Sequence, residues 1–561
     1  MSNINTDVIT AVKYYVDKLL SDPGLTGMKA LLLDSVTTKT ISMVYSQTQI
    51  LSKEVYLVEH LGADHEAMPH LKAAVFVQPT EENFELLMKH FKEPKYQEYH
   101  IYFSNIVPKP MLTRLGRADE LEVVRQVQEF YADILAVNPD FFHLGQENSL
   151  LLSSPSMCRS AQANKIFQRN VEGITSLLLA LKRTPSQIRY QQTSGIACRV
   201  ASEIVARVER DDIFQFPRME GPMVLILDRA DDPVTPLLTQ WTYQAMVHEL
   251  LGLNDNRVSL KGTPAAKKDL DEVVLSCTQD EFFRKHCYDN FGDLGEAIKH
   301  LLDDYQKKSK MNENINSIDD MQAFMERYPA FRSQALNVSK HVALMGELAR
   351  LTEVCQLLNI SQLEQEMVCG NEHSTHKREL FEHLSSPSFN KADKLRLAML
   401  FLVRYETHGE IREVKGKLAS EGKLGDKDIA LLDALLRYAG EERRAPNLFN
   451  QGGLMASLGK QIVTSIQGVE NVYTQHQPLL CHILDSIVKG KLKEAQYPLA
   501  GQNATSAKPG DIIVFMVGGA TFEEALKVRD FNEQYPQFKV ILGGSCIHNS
   551  ASLLREVSAH F

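Results

Sequence analysis

The sequence predicts an α/β protein: two parallel-sheet domains, with a large and mainly helical domain inserted into the second. Three observations lead there. Strand-length apolar runs alternate with helical patterns over residues 1–135. Long amphipathic patterns with hardly a strand between them fill residues 240–475, and the alternation returns at residue 511. At 561 residues the chain exceeds what one hydrophobic core holds, and about 150 residues per domain sets a prior of two to four domains.

Val8, Val12, Val16 and Leu19, with Tyr15 beside them, share one helical face that stops at Asp22-Pro23-Gly24. Strand runs then recur at 30–33, 55–58, 74–77 and 100–103. After the third, Thr80 caps a helix with acids in its first turn, and Phe84, Leu87, Met88 and Phe91 continue it at i, i+3, i+4 and i+7. Strands alternating with helices imply a parallel sheet with both faces covered. Leu121, Val124, Val127, Tyr131 and Ile134 read as a helical stripe that closes this domain near residue 135.

A second α/β unit starts at Phe141-Phe142, with helices expected at 164–182 and 189–210 and a buried strand at 223–227. Helices follow over 321–358, 395–405 and 429–438. The polar run 306–320 reads as a mobile loop among them. The late strands, 512–517 and 540–542, are expected to join the sheet begun near residue 140, because two parallel strands alone cannot bury their faces. Domains are accordingly set at 1–135, 136–220, 221–476 and 477–561, the second and fourth forming one body.

Composition narrows the function. The net charge of −10 disfavours nucleic acid as the main ligand. No apolar run approaches the ~18–20 residues of a membrane helix, so direct insertion is not expected. The start has no secretory signal pattern, and eight scattered cysteines without a CxxC pair read as free thiols in a reducing, cytosolic setting.

No phosphate loop, GxSxG elbow or HExxH motif occurs. His65, Glu66 and His70 have the wrong spacing for zinc, and Cys369, His373, His376 and His383 lack a second cysteine pair. In LDRADDPVTPLL, residues 227–238, acids follow a strand and could hold a metal through Asp228, Asp231 and Asp232. A cap-plus-proline turn accounts for the same residues: Asp232-Pro233 and Thr235-Pro236 start helical turns, and Arg229 pairs with a carboxylate. In FMVGGATFEEA, residues 515–525, the diglycine permits a tight strand-to-helix turn, and Thr521 with Glu524 forms a capping box.

These two motifs, in this order and separated by a helical insertion, resemble the SM (Sec/Munc-type) family of SNARE regulators. The opening MKALLLDSVTTKTISMVYSQTQILSKEVYLVEHL, residues 28–61, is close to one branch of it. The resemblance implies an arch of three domains without catalytic activity and without a cofactor. It also implies binding to a Qa-SNARE of the endosomal and trans-Golgi syntaxin type, and promotion of SNARE assembly and vesicle fusion. An R-SNARE, the assembled SNARE bundle and a Rab-effector tether are the further partners, with recruitment to endosome and Golgi membranes through them.

Residue by residue, the resemblance places the Qa-SNARE N-peptide pocket at Leu112, Val124, Val127 and Glu129. It places the Qa-SNARE cleft at Asp34, Lys39 and Glu59, the last after the second strand. A hairpin hinge falls at Pro329, where a mid-helix proline marks a boundary or a hinge, and an R-SNARE contact at Val342. The rival reading is a metal-dependent α/β hydrolase with a helical cap.

Overall fold

A computed structural model describes residues 7–216, 221–264, 270–313, 318–446, 448–449, 472–501 and 510–561, with backbone alone for 308–313 and 318–331. The chain divides into two compact units. The first comprises Met1–Arg229, His482–Ala520 and Glu524–Ile547; the second comprises Ala230–Cys481, Thr521–Glu523 and His548–Phe561.

The first unit opens with α1 (Val8–Leu20), whose apolar face is buried as its periodicity requires. There follow β1 (Lys29–Leu33), α2 (Ser35–Val44), α3 (Gln47–Leu51), β2 (Val55–His60), β3 (Met68–Val77), α4 (Glu81–Lys92), β4 (Tyr96–Phe103), α5 (Lys109–Ala118) and β5 (Val124–Glu129). The strands form one parallel sheet in the order β2-β1-β3-β4-β5. Thr80 caps α4, and the apolar face of that helix lands on the sheet, with Phe84 stacked on Phe103 at 5.0 Å between centroids.

No helix closes this domain: Val124 and Val127 of the expected stripe lie in β5, Leu121 precedes it in a turn, and Tyr131 and Ile134 follow it outside any helix. Val124 and Val127 are β-branched, and Arg125, Gln126 and Gln128 intersperse them, so the segment completes the sheet as an edge strand.

The second sheet is built from β6 (Leu135–Asn138), β7 (Phe141–His143), β8 (Gln187–Tyr190), β9 (Met223–Asp228), β12 (Asp511–Val517) and β13 (Lys539–Gly544). Its order is β6-β7-β13-β12-β9-β8. The late strands therefore do enter the sheet begun near residue 140: Phe515 pairs with Ile226 on one side and Gly543 on the other. A Cβ at Gly543 would lie 2.1 Å from the Phe142 ring, so the close approach of β13 and β7 needs glycine.

Two boundaries move. Strand β9 belongs to this sheet, so the helical region begins after residue 229 rather than at 221. The helices between β7 and β9 are α6 (Ala161–Leu181) and α7 (Gly195–Arg210), so the helix expected from 189 starts later, and its first residues belong to β8. The free side of β8 is covered by residues 496–500, through Tyr190 N to Pro498 O at 3.2 Å and Ala500 N to Ile188 O at 2.8 Å.

The second unit is almost wholly helical: α8 (Tyr243–Leu250), a ribbon of β10 (Arg257–Ser259) and β11 (Glu272–Val274), α9 (Glu281–His286), α10 (Phe291–Glu313), α11 (Ile318–Val354), α12 (Leu357–Cys369), α13 (His373–Ser385), α14 (Lys391–Arg404), α15 (Ile411–Ser420) and α16 (Asp426–Ala439). Of the remaining helices, α17 (Leu479–Val488) and α18 (Phe522–Gln534) fall mostly in the first unit, and α19 (Ser550–His560) in the second. Helix α14 is buried from Asp393 to Val403 and forms the centre. The polar run expected as a loop at 306–320 is helical over 306–313 and 318–320, with 314–317 outside the described residues. Its Lys, Gln, Met and Glu residues are good helix formers, and polarity alone does not make a loop.

Candidate partner-binding surfaces

Asp34 ends β1 and caps α2. Its Oδ1 accepts from Val36 N at 2.9 Å and Thr37 N at 2.7 Å; its Oδ2 accepts from Gln78 N at 2.6 Å and Asn83 Nδ2 at 2.7 Å. At 6% exposure this carboxylate is a buried cap that ties together the ends of β1, β3 and α4, not a solvated cleft charge. The polar chain continues inward. Gln78 Nε2 donates to Asp133 at 2.7 Å, and Asp133 also accepts from Asn105 at 2.8 Å and Arg169 at 2.9 Å. Burial pushes the Asp133 carboxyl up despite its Arg169 partner.

Of the other two expected cleft groups, Lys39 is half-buried on α2. Glu59 lies within β2, one residue before its end, and pairs with His65 Nδ1 at 3.3 Å. The same edge strand leaves Tyr56 and Val58 exposed, two residues apart on one face; their alternation with Leu57 is the signal that could have singled them out.

The expected peptide pocket falls on α5 and β5. Leu112 on α5 and Val127 on β5 are exposed by 37% and 39%, and Leu121 in the connecting turn by 59%. Leu121 thus faces out, although a helical stripe would have buried it. Val124 instead packs against the core under the sheet. Glu129 is held by Val107 N at 2.8 Å and Tyr131 Oη at 2.9 Å, so both its oxygens already have donors. The polar neighbours are neutralised locally: Arg114 pairs with Glu81 and Glu85 of α4, and Arg125 with Glu98.

In the second unit, α10 and α11 pack as a helical pair. The backbone of α11 is helical from Ile318 to Val354 without a break at Pro329. Val338, His341, Leu344, Glu347 and Leu348 are buried, while Leu336 and Val342 are exposed by 43% and 40%. Helix α11 thus shows one face inward and presents Val342 on another.

The residues weighed for metal chemistry are occupied by the protein itself. Asp228 accepts from Ser194 Oγ at 2.6 Å. Asp232 accepts from Val234 N, Thr235 N, Thr235 Oγ1 and Leu479 N, which is the cap the sequence suggested. Arg229 meets both oxygens of Glu524 at 2.9 Å with both side chains buried, so Glu524 carries a structural ion pair beside the turn it was expected to box. Gly518 and Gly519 have φ of +86° and +101°, conformations that only glycine adopts easily.

His373 meets Glu410 at 2.8 Å, His376 meets Tyr405 Oη at 2.6 Å, and His383 meets its own helix at Glu379 O. None of the eight cysteines is in a disulfide. Among the described residues no helix is long and apolar enough to cross a membrane.

Comparison with known proteins places this geometry. The model of the Sec1 family matches residues 29–556. The chain is 45% identical over 560 residues to vacuolar protein sorting-associated protein 45 of Mus musculus, covering 99% of this chain and 96% of that protein. It is 43% identical to the protein of the same name in Dictyostelium discoideum, covering 100% and 98%. This is the branch that the opening segment resembles.

A solved structure of the SM protein Vps45 in complex with the Qa SNARE Tlg2 superposes with a TM-score of 0.90 at 42% identity, covering 99% of this chain and 98% of that one. The Unc18–syntaxin 1 complex of Monosiga brevicollis shares the fold, with a TM-score of 0.78 at 19% identity. With its two mainly parallel sheets, its helical insertion and this full-length likeness, the chain belongs to the Sec1 family.

Proposed function

We propose that this chain is a SNARE-binding regulator that does no covalent chemistry, engages a Qa-SNARE of the endosomal and trans-Golgi type, and promotes SNARE assembly and vesicle fusion. The observation that carries the reading is the likeness, along essentially the whole chain, to a Vps45 whose solved structure holds the Qa SNARE Tlg2. The outward Leu112, Leu121 and Val127 supply apolar side chains for a bulky peptide anchor, and the edge strand β5 runs beside them.

Lys39 and Glu59 remain as polar contacts for the helical part of the Qa-SNARE; Asp34 serves the same surface by holding α2 in place. The α10–α11 pair offers Val342 to an R-SNARE, with Pro329 as the point where the pair folds or extends. A Rab-effector tether and recruitment to endosome and Golgi membranes through partners complete the reading.

The test is titration calorimetry of the full chain with a Qa-SNARE cytosolic domain and with its isolated N-terminal peptide. Both are expected to bind. Leu112→Arg is expected to abolish peptide binding while changing stability by no more than about 0.5 kcal/mol, because the side chain is on the surface. Unchanged peptide affinity in a folded Leu112→Arg variant rejects the pocket. Failure of the wild-type chain to bind the cytosolic domain of any Qa-SNARE of this type rejects the function.

A further inference from the structure

Helix α9 begins at the N-cap Asp280, a residue only 4% exposed at its side chain. Its Oδ1 does the ordinary work of a cap, accepting from Phe283 N at 2.9 Å. The rest of the carboxylate faces α11. Asn337 Nδ2 reaches Oδ1 at 3.3 Å, His341 Nε2 reaches Oδ2 at 2.9 Å, and the Lys340 ammonium lies against the same oxygen. Positions 337, 340 and 341 are i, i+3 and i+4, one face of a single turn, so one buried carboxylate collects three side chains from one turn of α11.

The clamp has a third jaw. His341 is fully buried, and its Nδ1 lies 2.8 Å from Tyr243 Oη on α8. A neutral imidazole with its proton on Nε2 satisfies both contacts, donating to Asp280 and accepting from Tyr243. Lys340 also donates to Val274 O of β11 at 3.0 Å, so three separate elements meet α11 at this turn. Burial alone would raise the Asp280 carboxyl, but the bonds from His341 and Lys340 hold it well below the usual carboxylate range.

Position along the helix gives the clamp its meaning. Before it, Arg332, Ser333 and Leu336 are exposed; from Val338 onward the inward face of α11 is buried. Among the described side chains, this turn is where the inward face of α11 becomes buried, and Val342 is the next residue after His341.

We infer that Asp280, Lys340, His341 and Tyr243 form a positioning clamp that fixes α11 where Val342 is presented, leaving the segment that carries Pro329 outside the clamped part. This rests on the proposed role of the α10–α11 pair in R-SNARE engagement. No residue of the clamp need touch the SNARE. Its contribution is preorganisation: a platform already held in place costs the incoming helix less ordering entropy.

The test uses the full chain and the variants Asp280→Asn, Lys340→Met and Lys340→Arg. Asn can still cap α9, so Asp280→Asn removes the carboxylate without removing the cap. Amide hydrogen exchange over 332–354 is expected to accelerate about tenfold to a hundredfold in Asp280→Asn and Lys340→Met, with exchange in α16 unchanged. SNARE assembly in a soluble reconstitution is expected to slow about threefold to tenfold while Qa-SNARE N-peptide affinity stays the same, and Lys340→Arg is expected to restore both readouts toward wild type.

Unchanged exchange over 332–354 in Asp280→Asn overturns the clamp, whatever assembly does. Accelerated exchange with unchanged assembly overturns its positioning role. Val342→Asp in the otherwise intact chain separates the two ideas: if it leaves assembly unaltered, the R-SNARE platform fails while the exchange result still judges the clamp.

Discussion

The two sheets of the first unit follow the same parallel logic and end in opposite conditions at their edges. The first is built from one continuous stretch, β1 to β5, and both its edge strands carry exposed apolar residues: Tyr56 and Val58 on β2, Val127 on β5. The second is stitched from segments hundreds of residues apart. At one edge β6 turns antiparallel and is packed by α1 and α2; at the other, β8 is covered by residues 496–500.

A sheet whose edges are dressed by its own chain is a scaffold. A sheet whose edge strands keep apolar side chains in water has surface to lend to a partner. The difference also shows in the ion pairs. Arg229 and Glu524 are buried beside the second sheet, whereas Arg114 and Arg125 make their pairs at the surface of the first.

That contrast can be broken most sharply at the buried pair. Glu524→Gln leaves the Arg229 guanidinium without its carboxylate in a dry site, and a loss of about 3–5 kcal/mol is expected in the urea unfolding transition of the first unit. The Arg229→Met, Glu524→Met double variant is expected to lose clearly less, since neither charge is stranded. Equal losses in the two would mean that packing rather than charge holds the site.

A smaller loss, about 2–3 kcal/mol, is expected from Asp34→Ala, which removes the cap of α2 and takes an acceptor from the half-buried Gln78 amide and the buried Asn83 side chain. If Qa-SNARE binding falls with Asp34→Ala while the unfolding transition does not move, Asp34 touches the partner directly and the cap reading fails.

The smallest effect concerns pH. Burial would raise Glu98 on β4, but the bonds from Lys72, His100 and Arg125 hold its carboxyl down to about 2. A depressed carboxylate stabilises the fold above its unfolded pKa, here the ordinary value of 4.5, and that contribution fades as pH falls toward about 2. Glu98→Gln is expected to flatten the acid limb of the stability curve across that window and to leave the slope above pH ~5 unaltered. An unchanged acid limb would show that these surface bonds stabilise nothing.

Much of this architecture is legible in the residues, and the exceptions have physical causes. Thr80 and the i, i+3, i+4 pattern after it specify α4 because cap and apolar face agree. The return of strands at β12 and β13 implies their place in the earlier sheet because a lone pair cannot cover itself. Strand β5 misleads because Leu121, Val124 and Val127 also suit a helical spacing, and only pairing with β4 decides between the periods.

Asp34 misleads differently. A charged residue after a strand reads as surface, and the four residues that donate to its carboxylate lie up to 49 positions away. At the proposed peptide site, Leu112 and Val127 are exposed, whereas Val124 packs on the core and both oxygens of Glu129 already have donors. Sequence period cannot distinguish a side chain that supports a surface from one that forms it.

The interleaved second sheet has a consequence for how the molecule comes off the ribosome. Strand β12 sits in its middle, between β13 and β9, yet it is made more than 280 residues after β9. Until then β9 has only β8 beside it and β7 only β6, each with one side open, while the first sheet can close as soon as β5 emerges. Nascent chains should therefore spend most of their synthesis half-finished, with sticky strand edges that a chaperone or a protease would find first.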